Sequence, residues 1–229
     1  MESSQRSPIN LFEFAEFARD QMEPAEFDYV EGGVTDEITL RRTRSAYDSI
    51  ALRPRVLRGF RQADMTTNVL GRKLPVPFML APCGGHGRAH PEGEIATARG
   101  AAAFGTVLGV SANASFTLEQ IAQAADGPRW YQLYFYRDRE QTAEMVKRAE
   151  SAGYEAICIT LDANWPSKRE RNIRNAYQQG NRPMYKDRPE APSQGKFDTG
   201  QSSRGRVDPG ANWEDLQWLR GLTDLPIVF

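Results

Sequence analysis

The 229-residue chain is long enough to bury a substantial core, as one large domain or two small ones. Its 29 Lys and Arg stand against 30 Asp and Glu, a net charge of −1, which argues against a nucleic-acid binder or a polybasic membrane adaptor. Two cysteines, Cys83 and Cys158, are too few and too far apart for a disulfide framework or a metal site, and no segment approaches ~20 consecutive apolar residues. The start, Met1 to Gln5, lacks the features of a signal peptide, so a soluble, reducing, cytoplasmic setting is expected.

In chain order, Leu11 to Met22 carries apolar residues at helical spacing behind a plausible cap at Asn10. A short helix from Pro24 to Val30 runs into the turn signal Glu31-Gly32-Gly33, and a third, Asp36 to Tyr47, is rich in Arg and Thr and is expected on the surface. From Pro75 the texture changes. Apolar runs occur at 78–81, 106–110, 130–135, 156–161 and 226–229, separated by helices with recognisable ends. One opens at Pro91-Glu92-Gly93-Glu94 and ends at Gly105. Thr117 with Gln120 reads as a capping box, Asp138 with Gln141 repeats the logic, and Gly153 closes the helix that follows. Strands alternating with helices predict βαβ units in a parallel sheet, and the near-continuous apolar strands predict that both its faces are covered.

The interval 166–212 breaks this rhythm with Arg, Asn, Gln, Gly, Pro and Ser, and is expected to be a lid or a disordered loop. Asn212 to Asp215 then caps a short helix leading to the last apolar run. We therefore divide the chain into an N-terminal helical segment and barrel cover, 1–74, and a partial barrel, 75–229. An open doubly wound sheet is the alternative. However, Ala81-Pro82-Cys83-Gly84-Gly85 puts Pro where a dinucleotide turn needs donors, so a (β/α)₈ barrel cut short is preferred. Five such runs do not close a barrel, and the chain stops at Phe229 inside an apolar run, so it is expected to be the front of a longer enzyme.

Two strand-like runs end in polar residues, Tyr131-Gln132-Leu133-Tyr134 and Ile159-Thr160-Leu161-Asp162, with Lys168-Arg169 soon after the second. Packing does not need Gln, Tyr, Thr and Asp there. A barrel enzyme does, because side chains at the carboxyl ends of parallel strands converge on one site. Gln132 and Tyr134 alternate with Leu133 and should face the same way. Asp162 has a second reading as the cap of a turn, and Arg169 a second reading as part of a solvated charge run.

With Phe27-Asp28-Tyr29 followed by Gly33, Leu52 to Leu57, Ala81-Pro82, His90 to Glu94, Gln132-Leu133-Tyr134, Thr160-Leu161-Asp162 and Lys168-Arg169-Glu170 in that order, the chain resembles the FMN-dependent α-hydroxy-acid oxidase and dehydrogenase family. That family includes glycolate oxidase, L-lactate dehydrogenase and mandelate dehydrogenase. The resemblance implies an FMN-linked barrel that oxidises a small L-2-hydroxy acid to a 2-oxo acid, with a homo-oligomer, a tetramer by analogy, as the assembly. It implies that the backbone of Ala81, Pro82 and Cys83 lies against the flavin ring and that Ser111, Gln132 and Thr160 hydrogen-bond it. Tyr29 and Arg169 would hold the substrate carboxylate, Tyr134 would contact the reacting end, and Asp162 would orient a histidine base. Asn113 stands where many relatives carry a bulky aromatic, Cys83 replaces a more usual Thr or Ile, and Asn164 to Ser167 departs from a small-residue turn.

The resemblance also implies that the base and a flavin-contacting Lys lie beyond Phe229, with His86 and His90 no substitute. The competing expectation is a non-catalytic half-barrel, prone to aggregate through unpaired edge strands, or a subunit completed by a partner. Neither the particular acid nor the final electron acceptor is legible in the residues.

Overall fold

A computed structural model describes residues 7–163, 167–177 and 207–229. In chain order the elements are α1 (Leu11–Gln21), α2 (Pro24–Glu31), α3 (Ile38–Asp48), β1 (Thr67–Val69), β2 (Arg72–Leu74), β3 (Leu80–Cys83) and α4 (Gly93–Phe104). They continue with β4 (Leu108–Ser111), α5 (Leu118–Ala124), β5 (Arg129–Tyr134), α6 (Arg139–Ser151), β6 (Ala156–Thr160), α7 (Glu170–Arg174), α8 (Trp213–Arg220) and β7 (Ile227–Val228). They form two compact units, Met1–Arg58 with Ser167–Gln178, and Gly59–Pro166 with Gln179–Phe229.

The first unit holds α1, α2, α3 and α7. The Asn10 side chain accepts the Phe12 and Glu13 amides and starts α1, as expected of an Asn cap. Pro at the first position of α2 supplies the helical φ without losing a bonded amide. Helix α7 falls inside the interval expected to be a lid or disordered. Its Asn172 side chain donates to the Ala25 carbonyl and Asn175 to Asp28, which ties it to α2. Of that interval, 178–206 lies outside the described residues, as does 164–166.

The second unit is built on a five-stranded parallel sheet in sequential order, β3-β4-β5-β6-β7. Leu108, Val110, Tyr131, Leu133, Ile157 and Ile159 point to one face and are buried with Val146, Ile121 and Leu219 of the helices. Each fully buried aliphatic side chain is worth roughly 1.5–3 kcal/mol. The helices begin and end where their chemistry dictates. Thr117 with Gln120 and Asn212 with Asp215 make reciprocal capping boxes, Asp138 accepts the Glu140 and Gln141 amides, and Gly153 takes φ +77° just past α6.

Two expectations are corrected, and one element is new. The sheet is not covered equally on both faces, since Trp130, Cys158 and Thr160, on the face away from the helices, are only half-buried. Among the described residues the sheet has five strands, fewer than the eight that close such a barrel. The first strand of the parallel sheet is Leu80–Cys83 rather than 78–81, with Leu80 paired to Leu108 and Cys83 to Val110. A bulge at Ala81-Pro82 absorbs the extra residue, a place where a Pro without an N–H is tolerated. A hairpin of β1 and β2 was not foreseen. Its two-residue turn, Leu70 at φ 48° and Gly71 at φ 81°, has the sign that right-twisted hairpins require.

Candidate active site

The carboxyl ends of β4, β5 and β6 bring Ser111, Gln132 and Thr160 into one hydrogen-bonded chain. Parallel pairing sets Ser111 opposite Gln132 and Tyr134 opposite Thr160. Ser111 Oγ donates to Gln132 Oε1 at 3.1 Å, and the same oxygen accepts the Ala112 N–H at 3.1 Å. Gln132 Nε2 donates to Thr160 Oγ1 at 2.9 Å and to the Leu133 carbonyl at 3.2 Å. A backbone N–H can only donate, so the Ala112 contact fixes which end of the amide is oxygen.

All four hydrogen-bonding capacities of the Gln132 amide are thus filled, and the residue is 4% exposed. Its role in this arrangement is to aim two hydroxyls. Ser111 gives its proton to Gln132 and accepts the Asn113 N–H at 3.1 Å. Thr160 accepts from Gln132, so its own proton points elsewhere.

Beside this chain the ends of β3 and β4 approach closely and carry little side chain. A Cβ placed on Gly109 would lie 2.8 Å from Pro82 Cδ and 2.9 Å from its ring nitrogen. One on Gly84 would meet Asn113 Cβ at 3.0 Å and Ser111 Oγ at 3.3 Å. Ala81, Pro82 and Cys83 are exposed. The result is an exposed stretch of backbone next to a row of oriented hydroxyls, which fits a planar heteroaromatic ring edged with carbonyl and N–H groups. These residues therefore fit a flavin ring.

Tyr134, half-buried, lies 6.5 Å from the ring of Tyr136, and Asp162 is exposed just after β6. Cys158 is half-buried rather than enclosed, and burial still pushes its thiol up, which suits an inert thiol. The two histidines are held locally. His86 Nδ1 lies 2.9 Å from Thr97 Oγ1, and His90 Nδ1 accepts the Glu92 amide at 3.2 Å.

In the other unit the structure brings Tyr29 and Arg169 together. The Arg169 guanidinium carbon sits 4.8 Å above the Tyr29 ring, and Nη1 donates to the carbonyls of Tyr29 (2.8 Å) and Gly32 (3.0 Å). Arg thus caps the carboxyl end of α2, a favourable place for a cation. Its Nε is buried and has no hydrogen-bond partner among the described residues. Tyr29 also stacks on Tyr177 at 5.1 Å.

Sequence reasoning passed over two features here: the bulge at Ala81-Pro82 and the glycine that permits it. The signal for both was Leu108-Gly109-Val110, a glycine inside an apolar strand, which marks a close backbone approach. Among the described residues, no group of three or more His, Cys, Asp or Glu could hold a metal ion. No described helix is long and apolar enough to cross a membrane.

Comparison with known proteins bears on this geometry. The model of the FMN-dependent dehydrogenase family matches residues 18–229. A peroxisomal (S)-2-hydroxy-acid oxidase of Oryza sativa subsp. japonica is 38% identical over 223 residues, which cover 96% of this chain and 61% of that protein. An L-lactate oxidase of Nostoc sp. is 38% identical over 234 residues, covering 97% and 64%. Among solved structures, a mandelate oxidase superposes with a TM-score of 0.83 at 31% identity, over 96% of this chain and 62% of that one. The chain spans about 61% of the length of the first curated relatives it matches.

Proposed function

The chain belongs to the FMN-dependent dehydrogenase family, and from that premise we propose that the protein oxidises an L-2-hydroxy acid to the corresponding 2-oxo acid. The observation that carries the reading is the Ser111–Gln132–Thr160 chain at the carboxyl ends of three adjacent parallel strands, beside a side-chain-poor wall at Ala81–Cys83. FMN, when bound, supplies the two-electron acceptor that no side chain provides.

Each residue then has a defined task. The Ala81–Cys83 backbone and the Ser111 and Thr160 hydroxyls bind the ring, with Gln132 holding both hydroxyls in place. Arg169, anchored to the end of α2 through Nη1 with Tyr29 beneath it, has a guanidinium edge left over that suits a substrate carboxylate. Tyr134 contacts the reacting end, and Asp162 orients the base. Oxidation removes two electrons and two protons from the carbon bearing the hydroxyl and its oxygen, so a base must accept a proton. Neither His86 nor His90 is assigned that task, since one ring is bonded to Thr97 and the other to the Glu92 amide.

A second reading is a half-barrel that does not turn over. It is favoured by those engaged histidines and by a sheet that, among the described residues, has five strands with β3 and β7 at its edges. The deciding experiment purifies the protein from its own cell and adds glycolate, L-lactate or mandelate without oxygen. Bleaching of the visible flavin band by any of them supports the oxidation. A flavin-loaded protein that none of the three bleaches refutes it, and a protein that carries no flavin supports the half-barrel.

A further inference from the structure

Glu94, at the second position of α4, is 2% exposed, yet among the described residues it forms no ion pair, and it does not cap its own helix. Its Oε1 accepts two backbone amides from outside the helix: His86, eight residues earlier, and Ser115, 21 residues later, both at 2.9 Å. Its Oε2 is buried and has no hydrogen-bond partner among the described residues. Ser115 Oγ in turn accepts the Gly87 N–H at 3.0 Å. One carboxylate oxygen and one hydroxyl thus fasten the loop after β3 to the loop after β4. The helix start is pressed onto the same loop, since a Cβ on Gly93 would fall 2.9 Å from the Gly87 nitrogen.

Burying a carboxylate without a counter-charge is expensive, and a helix start alone does not require it. The favourable N-terminal field of α4 offsets part of that penalty. What the two amide bonds secure is distance. The loops they join begin at Gly84 and Ala112, immediately after Cys83 and Ser111, the residues assigned above to the flavin wall and its hydroxyl row. A shared acceptor fixes both loop amides relative to a single atom, which adjacent β-strands alone cannot do once pairing stops at Cys83–Val110.

We propose that Glu94 is a positioning residue for the cofactor: through Oε1 it holds the loops after β3 and β4 together and so sets the width of the ring site. The inference rests on the flavin reading above.

The test uses the whole flavin protein with Glu94→Gln, Glu94→Met and Ser115→Ala, read by amide hydrogen exchange and by FMN affinity from flavin fluorescence. Glu94→Gln keeps a carbonyl acceptor and is expected to retain both loops' protection and wild-type FMN affinity. Glu94→Met is expected to speed exchange in 84–90 and 112–117 together by about tenfold and to weaken FMN by about tenfold, with β5 and β6 protected as before. Ser115→Ala loosens 84–90 alone and supplies a milder variant should Glu94→Met fail to fold.

Unchanged exchange in Glu94→Met, or open loops with unchanged FMN affinity, overturns the proposal. So does Glu94→Gln behaving like Glu94→Met, which would make charge, not the shared acceptor, the cause. A parent protein that takes up no FMN overturns the ring site itself. That outcome is recognised in the unsubstituted protein, where exchange still reports whether Glu94 ties the loops.

Discussion

Replacing Gln132 with Met removes the amide that joins three strands while keeping a side chain of similar length. The Ser111 hydroxyl and the Ala112 N–H each lose their acceptor, Oε1, in a place where Ser111 is only 6% exposed. Leaving a buried polar group unpaired costs about 1–3 kcal/mol. Thr160 loses a donor too, but it is half-buried and water can replace it. The apolar Met returns roughly 1 kcal/mol of transfer energy, so a net loss of about 1–5 kcal/mol is expected.

The assay is urea unfolding of the four members of a cycle, the unsubstituted chain, Gln132→Met, Thr160→Val and the double variant, with equal m-values as the condition for comparison. The Gln132–Thr160 bond predicts a coupling of about 0.5–1.5 kcal/mol. A loss below ~1 kcal/mol for Gln132→Met, or single costs that add within ~0.3 kcal/mol, would show that the chain of hydrogen bonds is not what aligns these strand ends.

Gly109→Ala is expected to cost about 1–3 kcal/mol, because the new methyl meets the rigid ring and nitrogen of Pro82 rather than a side chain that can swing away. Thermal unfolding checks it, and an unchanged midpoint would mean the bulge at Ala81-Pro82 yields freely. Glu119 is held below its ordinary value of 4.5 chiefly by the Arg148 side-chain hydrogen bond. A lowered carboxylate contributes stability that is present above its unfolded value and is lost as pH falls through the folded one. Glu119→Gln should therefore flatten the decline in stability below about pH 4.5 while lowering stability at neutral pH, as urea midpoints across pH 3–7 would report.

The helical punctuation was legible because it is local. Asn10, Thr117, Asp138, Gly153 and Asn212 act on amides or φ angles within a few residues of themselves, so type and spacing suffice. The alternation of Gln132 and Tyr134 was legible for the same reason, since a strand's period is two. Glu94 was quoted within a motif without its role being visible, because its partners His86 and Ser115 are brought to it by the packing of two loops. The bulge was hidden because it is a property of a pair of strands. The helix at Glu170–Arg174 was hidden because its Arg- and Asn-rich sequence gains stability from bonds to α2 rather than from an apolar stripe. Gln132 also shows a limit of inference from likeness: residue type suggested a ligand contact, whereas geometry makes it the aligner of two others.

The sequential strand order carries a consequence for how the sheet assembles. Gln132 pairs with Cys158, 26 positions on, whereas Cys158 pairs with Val228, 70 positions on. Closing the longer span costs about 0.9 kcal/mol more in chain entropy, and the strand it brings is only Ile227–Val228. During synthesis, β3 to β6 can zip together one neighbour at a time as each leaves the ribosome, whereas β7 waits on the longer span and pairs with β6 through only two residues. The β6–β7 pairing is therefore expected to open before those among β3 to β6, and the β6 edge at Ile157 and Cys158 is what such opening lays bare.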